Sequence, residues 1–139
     1  MIDDFSRPTT GHVPVLRLGD VLLVTLQGDL YDSTAEQLQH DIGEAIARNR
    51  ATGVVIDISG VEIVDSFLGR VLAEIAAKAK LLAAQTVVAG MRPAVAITMV
   101  ELGLTLSGLS TALSTEDAMR LVTARDSEPH PGDSGTGSR

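Results

Sequence analysis

The sequence predicts an α/β fold, in which a mixed but mostly parallel sheet is covered by about four helices. Short runs of leucine and β-branched residues alternate with longer segments whose apolar residues recur at helical spacing. Two of the strand-like runs are continuously apolar, as strands buried on both faces are. Because strands joined by helical crossovers pair in parallel, most of the sheet is predicted to be parallel. The chain of 139 residues is 45% hydrophobic, which is enough for one domain with its own core.

The first two predicted strands form a hairpin. They span Val13–Leu18 and Val21–Leu26, and the tight-turn signal Gly19-Asp20 separates them. Helical spacing then extends from Asp32 to Arg50, and the segment Ser33-Thr34-Ala35-Glu36 matches the capping-box pattern of a helix start. The predicted buried face of this helix consists of Ala35, Leu38, Ile42 and Ile46.

The central part of the chain alternates strand, helix, strand and helix. A buried strand is predicted at Gly53–Ile58, a helix at Ser66–Ala83 and a second buried strand at Thr86–Ala89. Pro93 suits the first turn of the next helix, and Gly103 suits its end.

The last elements are a short strand and a helix. The strand is predicted near Leu104–Leu109, and the helix from Ser114 or Thr115 to about Ala124, with acidic residues in its first turn where the helix dipole favours them. Residues 123–139 consist largely of Gly, Ser, Asp, Pro and Thr and hold no bulky aliphatic side chain, so we expect a disordered tail there. The predicted organisation is a flexible N-terminus at 1–12, a domain at 13–122 and this tail.

Composition and charge exclude several functions. The chain has no cysteine, which rules out disulfides, thiolate metal sites and cysteine nucleophiles, and it has few aromatic residues for stacking on bases. A net charge of −7 argues against binding nucleic acid. No signal peptide and no segment of about 20 apolar residues is present, so we expect a cytoplasmic protein that makes no membrane contact.

Catalytic motifs are also missing from the sequence. There is no phosphate-binding glycine loop, and three scattered histidines make a poor metal site, so we predict no metal, no cofactor and no enzymatic activity. Asp57 lies at the C-terminal end of a buried strand, and Asp29 and Asp32 follow an earlier strand, as in phosphoryl-accepting receiver domains. Such domains need a lysine near the end of a late strand, whereas Lys78 and Lys80 lie in the second helix. Helix and loop capping is therefore the preferred interpretation of these acids.

Ser66 is the one residue whose position suggests a switch. Asp65 is a natural N-cap, which places Ser66 in the first helical turn with its hydroxyl exposed beside free amide donors. A phosphate is well accommodated at such a terminus and adds about −1.5 to −2 charges. Arg70 is the nearest counter-charge, and we expect Asp65, Phe67 and Arg70 to contact a protein partner. On the residues alone, a simple helix cap remains the alternative.

Three segments carry a resemblance to a known family. Gly53-Val54-Val55-Ile56-Asp57, Val64-Asp65-Ser66-Phe67 and the stretch from Pro93 to Gly103 resemble STAS domains of anti-sigma factor antagonists. The resemblance covers about Val13 to Val122. Within the family the chain is most similar to the RsbS type of the bacterial stressosome, because bulky residues rather than small ones follow the loop serine.

This resemblance implies a function without catalysis. RsbS-type proteins assemble with RsbR-type STAS co-antagonists and, when unphosphorylated, sequester an RsbT-type serine-protein kinase. Phosphorylation of the loop serine, here Ser66, releases the kinase to start a stress response, and a phosphatase resets the serine. Homo- and hetero-oligomers are expected.

Two other functions remain open at this point. One is a simple anti-sigma factor antagonist that binds an anti-sigma kinase one to one. The other is a small ligand-binding protein or enzyme that uses Asp57, Asp65 and Ser66. The apolar stretch from Val95 to Leu109 is interpreted either as core or as a surface for association.

Overall fold

A computed structural model describes residues 13–28, 30–104 and 108–127 of the chain. Within these residues, five strands form one mixed sheet and four helices cover its faces. In chain order the elements are β1 (Val15–Leu18), β2 (Val21–Gln27), α1 (Asp32–Asn49), β3 (Gly53–Gly60), α2 (Ser66–Leu81), β4 (Gln85–Ala89), α3 (Pro93–Glu101), β5 (Leu109–Ala112) and α4 (Thr115–Ser127). The predicted α/β fold is confirmed.

The sheet follows the chain order from β1 to β5. β1 and β2 form the predicted antiparallel hairpin, in which Leu18 pairs with Val21 across the turn. The pairs β2–β3, β3–β4 and β4–β5 are all parallel. In a parallel pair, the connecting segment must return the chain to the edge at which the first strand began. Here α1, α2 and α3 form these connections.

β3 lies at the centre of the core. Its residues Val54, Val55, Ile56 and Ile58 are fully buried, because successive side chains point to opposite faces and both faces are covered. On one face the alternate residues of β2 and β3 pack against α1, α2 and α3. On the other, Val55 and Val87 pack against Ala118 and Val122 of α4. The predicted apolar face of α1 is buried as expected: Ala35, Leu38, Ile42 and Ile46.

The predicted capping box at the start of α1 is wrong. The N-cap is Tyr31, whose side chain forms no capping hydrogen bond, so Ser33 lies inside the first turn. Leu30, before the cap, and Ala35, in the second turn, both pack against the core. Leu30 and Ala35 occupy the two positions at which apolar residues favour a helix start, which suits an N-cap at Tyr31 better than one at Ser33.

The C-terminal elements are shifted from their predicted positions. In the described residues the last strand spans Leu109–Ala112, and Gly108, with a φ of +88°, belongs to the turn that precedes it. Of the predicted range 104–109, Leu104 and Gly108 are not in a strand, and residues 105–107 lie outside the described residues. The last helix begins after Ser114, as predicted, and the Ser114 hydroxyl accepts a hydrogen bond from the Asp117 amide at 3.1 Å. It continues to Ser127, so residues 123–127 are helical and the predicted start of the tail at 123 is wrong. The predicted flexible N-terminus at 1–12 and the remainder of the predicted tail, 128–139, lie outside the described residues.

Two glycines offer a matched test of the packing. A Cβ atom at Gly53 falls inside contact distance of the Val122 side chain, which is itself 2% exposed, so α4 must shift to accommodate it. Gly53→Ala is expected to lower the free energy of unfolding by about 1–3 kcal/mol, the usual cost of overpacking. The measurement is equilibrium denaturation in urea.

Gly43→Ala is the control for this substitution. Gly43 is half-buried in α1, and its nearest neighbour is Lys78 Cδ at 3.3 Å, which belongs to a flexible side chain. Alanine is favoured over glycine inside a helix by up to about 1 kcal/mol, so this variant should be as stable as the parent or more so. Equal destabilisation by both variants would contradict the described packing of α4 on β3.

Candidate functional site

The parallel sheet brings the starts of all four helices to one edge. β2, β3, β4 and β5 all end at this edge, and each is followed directly by a helix. The four helix N-termini therefore face the same way, with their free amide donors and positive dipole ends. Ser66 is the first residue of α2 and is exposed at this edge.

The loop before Ser66 is anchored at both ends. Val61 and Val64 are 2% and 6% exposed and pack into the core. The Val61 amide donates a hydrogen bond to the Ile58 carbonyl at 3.0 Å, which fixes the turn out of β3. Glu62 and Ile63, between the two valines, are exposed.

Asp65 is the N-cap of α2, as the sequence predicts. Its backbone is extended, and its Oδ1 accepts a hydrogen bond from the Leu68 amide at 3.0 Å. The Asp65 carbonyl accepts a further bond from the Gly69 amide at 3.3 Å. The carboxylate thus satisfies one of the donors that the helix leaves unpaired and holds the first turn in place.

Phe67 and Arg70 lie beside Ser66 on the first turns of the helix. Phe67 is half-buried against the core, and the guanidinium carbon of Arg70 lies 5.7 Å from the centre of its ring. This is the geometry of a cation–π contact, worth about 0.5–1 kcal/mol at an exposed site. The structure therefore places Asp65, Ser66, Phe67 and Arg70 at one helix start, as expected from the sequence.

Asp57 forms a local hydrogen bond near the end of β3. Asp57 is half-buried, and its Oδ1 accepts a hydrogen bond from the Ser59 amide at 2.9 Å. Both residues lie within β3, which continues to Gly60, so the predicted cap of a following loop is instead a contact inside the strand. The Ser59 carbonyl in turn accepts a bond from Arg92 Nε at 2.9 Å, which ties the end of β3 to the residue before α3. Sequence analysis missed Arg92, because nothing in its local pattern identifies a partner so distant along the chain. Asp32 is exposed in the first turn of α1, and Asp29 lies outside the described residues.

Residues 13–28, 30–104 and 108–127 contain no group of three or more His, Cys, Asp or Glu side chains placed to hold a metal ion. His40 is an exposed residue of α1, and its Nε2 lies 3.4 Å from a Glu44 oxygen. In the same described residues, no helix combines the length and the apolar character needed to cross a bilayer.

The apolar residues of α3 are divided between core and surface. Val95 and Met99 are buried, whereas Ile97, Val100 and Leu102 are exposed. Core burial is therefore confirmed for part of this segment, and association through the exposed part stays a prediction. Leu106 lies outside the described residues.

Comparison with curated proteins identifies relatives among stressosome regulators. The RsbT co-antagonist protein RsbRA of Bacillus subtilis (strain 168) is 28% identical over 126 residues, which cover 84% of this chain and 44% of the relative. RsbRD of the same organism is 29% identical over 120 residues, which cover 86% of this chain and 41% of the relative. The chain thus spans less than half the length of these two relatives.

Comparison with solved structures gives matches that cover nearly the whole length of the solved chains. A serine-to-glutamate variant of RsbS from Moorella thermoacetica is 37% identical with a TM-score of 0.73, covering 84% of this chain and 98% of that one. A chain from the molecular architecture of the stressosome, described as a signal integration and transduction hub, is also 37% identical with a TM-score of 0.73, covering 83% and 100%. The unphosphorylated anti-sigma factor antagonist SpoIIAA, at 18% identity and a TM-score of 0.65, shares the fold.

The family assignment follows from these matches. Residues 12–118, most of the chain, match the STAS domain family. The resemblance seen in the sequence is confirmed, and the chain belongs to the STAS domain family, with relatives among the RsbS and RsbR proteins of the stressosome.

Proposed function

We propose that this chain is a non-enzymatic phospho-switch and scaffold protein of a stressosome. When unphosphorylated it sequesters an RsbT-type serine kinase, and phosphorylation of Ser66 releases the kinase to start a stress response. The observation that carries the proposal is the exposure of Ser66 at the first position of α2, directly after a loop anchored by two buried valines. A kinase substrate needs an accessible hydroxyl, and a binding switch needs it on a defined surface.

Electrostatics explain how one phosphate can change a binding surface. Phosphorylation adds about −1.5 to −2 charges at pH 7. At Ser66 this charge lies next to the exposed carboxylate of Asp65, with Glu62 nearby on the same loop. Arg70, the first cation after Ser66 on the same helix, lies over the Phe67 ring. A partner that fits the unphosphorylated surface has to accommodate and desolvate this concentrated charge after the reaction, and burying a charge without a matched partner costs several kcal/mol.

The relatives supply the proposed partners. Because curated relatives are RsbT co-antagonists and a 37% identical chain comes from a stressosome structure, we expect assembly with RsbR-type STAS proteins into homo- and hetero-oligomers. A phosphatase acting on phosphorylated Ser66 completes the cycle. The proposed location is the cytoplasm, and the switch requires no cofactor.

Substitution of Ser66 tests the switch directly. Ser66→Ala should bind an RsbT-type kinase and retain it in the presence of ATP, because no phosphate can be added. Ser66→Asp should bind at least about tenfold more weakly, a change of about 1.4 kcal/mol, because a carboxylate adds charge beside Asp65. Affinities are measured by isothermal titration calorimetry, and the phosphorylated residue is located by mass spectrometry after incubation with kinase and ATP.

Ser59→Ala is the control for these variants. Ser59 is an exposed serine at the same edge of the sheet, at the end of β3. Its substitution should leave both binding and phosphorylation unchanged. Phosphate found on Ser59 or Thr98 instead of Ser66 would overturn the assignment.

The capping role of Asp65 predicts a separable effect on stability. Asp65→Ala removes the acceptor for the Leu68 amide and should lower the free energy of unfolding by about 0.5–2 kcal/mol. Asp65→Asn keeps an oxygen acceptor and should lose less. Thermal and urea denaturation measure the difference, and an equal loss in both variants would show that the charge, not the hydrogen bond, stabilises the helix start.

The size of the assembly distinguishes a scaffold from a one-to-one antagonist. Size-exclusion chromatography with light scattering of this chain mixed with an RsbR-type co-antagonist should show a large complex containing both. The chain alone and the co-antagonist alone are the controls. A discrete small complex of this chain with the kinase, and none with the co-antagonist, would favour the simple anti-sigma factor antagonist.

A further inference from the structure

Ile63 is an exposed apolar residue in a segment whose neighbours are buried. Its exposed fraction is 85%, whereas Val61 and Val64 on either side are 2% and 6% exposed. Turning Ile63 inward would require one of these valines to leave the core, which costs about 1.5–3 kcal/mol for a fully buried side chain of this size. The loop therefore holds Ile63 in solvent.

This exposure is fixed by hydrogen bonds as well as by packing. The Val61 amide is bonded to the Ile58 carbonyl, and the Asp65 carboxylate is bonded to the Leu68 amide, so both ends of the short loop are restrained. A backbone already restrained in this conformation loses little conformational freedom when a partner covers the Ile63 side chain. Such preorganised apolar side chains suit the centre of a binding interface.

The position of Ile63 puts it within reach of any protein that acts on Ser66. Successive Cα atoms are about 3.8 Å apart, so the Cα atoms of Ile63 and Ser66 are separated by at most about 11 Å. A standard interface covers about 800 Å² on each partner, a patch with a radius on the order of 16 Å. Leu81, with a similar exposure of 87%, lies at the far end of the 16-residue α2, roughly 22 Å from Ser66 at about 1.5 Å per residue.

The charges around Ile63 indicate the chemistry of its partner. Glu62 and Asp65 on the same loop are exposed carboxylates, and Asp32 begins α1 at the same edge of the sheet. An apolar residue with two exposed carboxylates on its own loop is complementary to an apolar pocket with a basic rim.

We propose that Ile63 is the apolar anchor by which the kinase docks, inserting into a pocket rimmed by lysine or arginine side chains. This inference rests on the proposed function and adds to it the residue that carries much of the affinity. The Ser66 hydroxyl is the site of the reaction, whereas Ile63 holds the kinase in place before and between reactions.

The test compares Ile63→Ser with Leu81→Ser, both in the Ser66→Ala background so that binding is measured without turnover. Ile63→Ser should weaken binding of the RsbT-type kinase by at least about tenfold, as loss of an interface anchor does. Leu81→Ser, which removes an equally exposed leucine at the other end of α2, should change it by less than about twofold. Both variants should unfold at the parent temperature, because exposed substitutions usually change stability by less than about 0.5 kcal/mol.

The charge of the docking surface has its own measurement. Glu62→Gln should slow association of the kinase and reduce the dependence of the association rate on salt concentration, because rim charges act mainly on the encounter step. An unchanged rate and salt dependence would overturn the basic rim. Stopped-flow mixing at two or more ionic strengths gives the rates.

The outcomes distinguish this inference from the proposed function. If Ser66 is phosphorylated and Ile63→Ser binds the kinase as tightly as Leu81→Ser, the anchor is refuted and the switch stands. If Ile63→Ser leaves kinase binding intact and instead disrupts assembly with the co-antagonist, Ile63 belongs to a scaffold contact and the inference is also refuted. If the parent chain neither binds the kinase nor accepts phosphate at Ser66, the proposed function itself fails.

Discussion

The parallel pairing of β3 with both of its neighbours is the constraint on which the rest of the structure depends. β3 is paired with β2 on one side and β4 on the other, and its apolar residues are fully buried between two helical layers. A strand in this position cannot be connected to its neighbours by tight turns. Each strand finishes at one edge of the sheet, and the next parallel strand must begin at the opposite edge. The connecting helices therefore all begin where the strands end. This places Ser66, the first residue of α2, at that edge of the sheet.

The edge that carries Ser66 is stiffened by links between adjacent strand ends. Gly90, just after β4, has a φ of +74°, and a Cβ atom there would lie 2.9 Å from Ser59 Cβ, so the close approach of the two strand ends requires glycine. The Gly90 amide donates a hydrogen bond to the Ala112 carbonyl at 3.0 Å, which connects the end of β5 to the end of β4. Together with the hydrogen bond from Arg92 to the Ser59 carbonyl, these contacts connect the ends of β3, β4 and β5. The loop that presents Ser66 thus starts from a fixed base.

Local patterns in the sequence predicted the elements whose causes are local. The apolar stripe of α1 and the Asp65 cap of α2 depend on residues within a few positions of each other, so the sequence shows them directly. The predicted helix start at Asp32 is confirmed, but the capping box of α1 was mispredicted. The residue before the actual N-cap, Leu30, packs against a core that only the folded chain assembles. Ile63 could not be identified for the same reason. Its side chain is of the same type as those in the core, and only the burial of Val61 and Val64 shows that it points outward.

Asp65 combines two electrostatic effects that would oppose each other after phosphorylation. Its carboxylate stabilises the start of α2 by accepting from the Leu68 amide, and negative charge is favoured at this end of a helix dipole. A phosphate on Ser66 would be favoured by the same dipole but repelled by that carboxylate. The buried stripe of α2, including Leu72, Ile75 and Ala79, is anchored in the core independently of the cap. Hydrophobic anchoring of this kind exceeds the repulsion between two solvated charges, so under the proposed function the switch changes the surface potential around Ser66 while α2 stays folded.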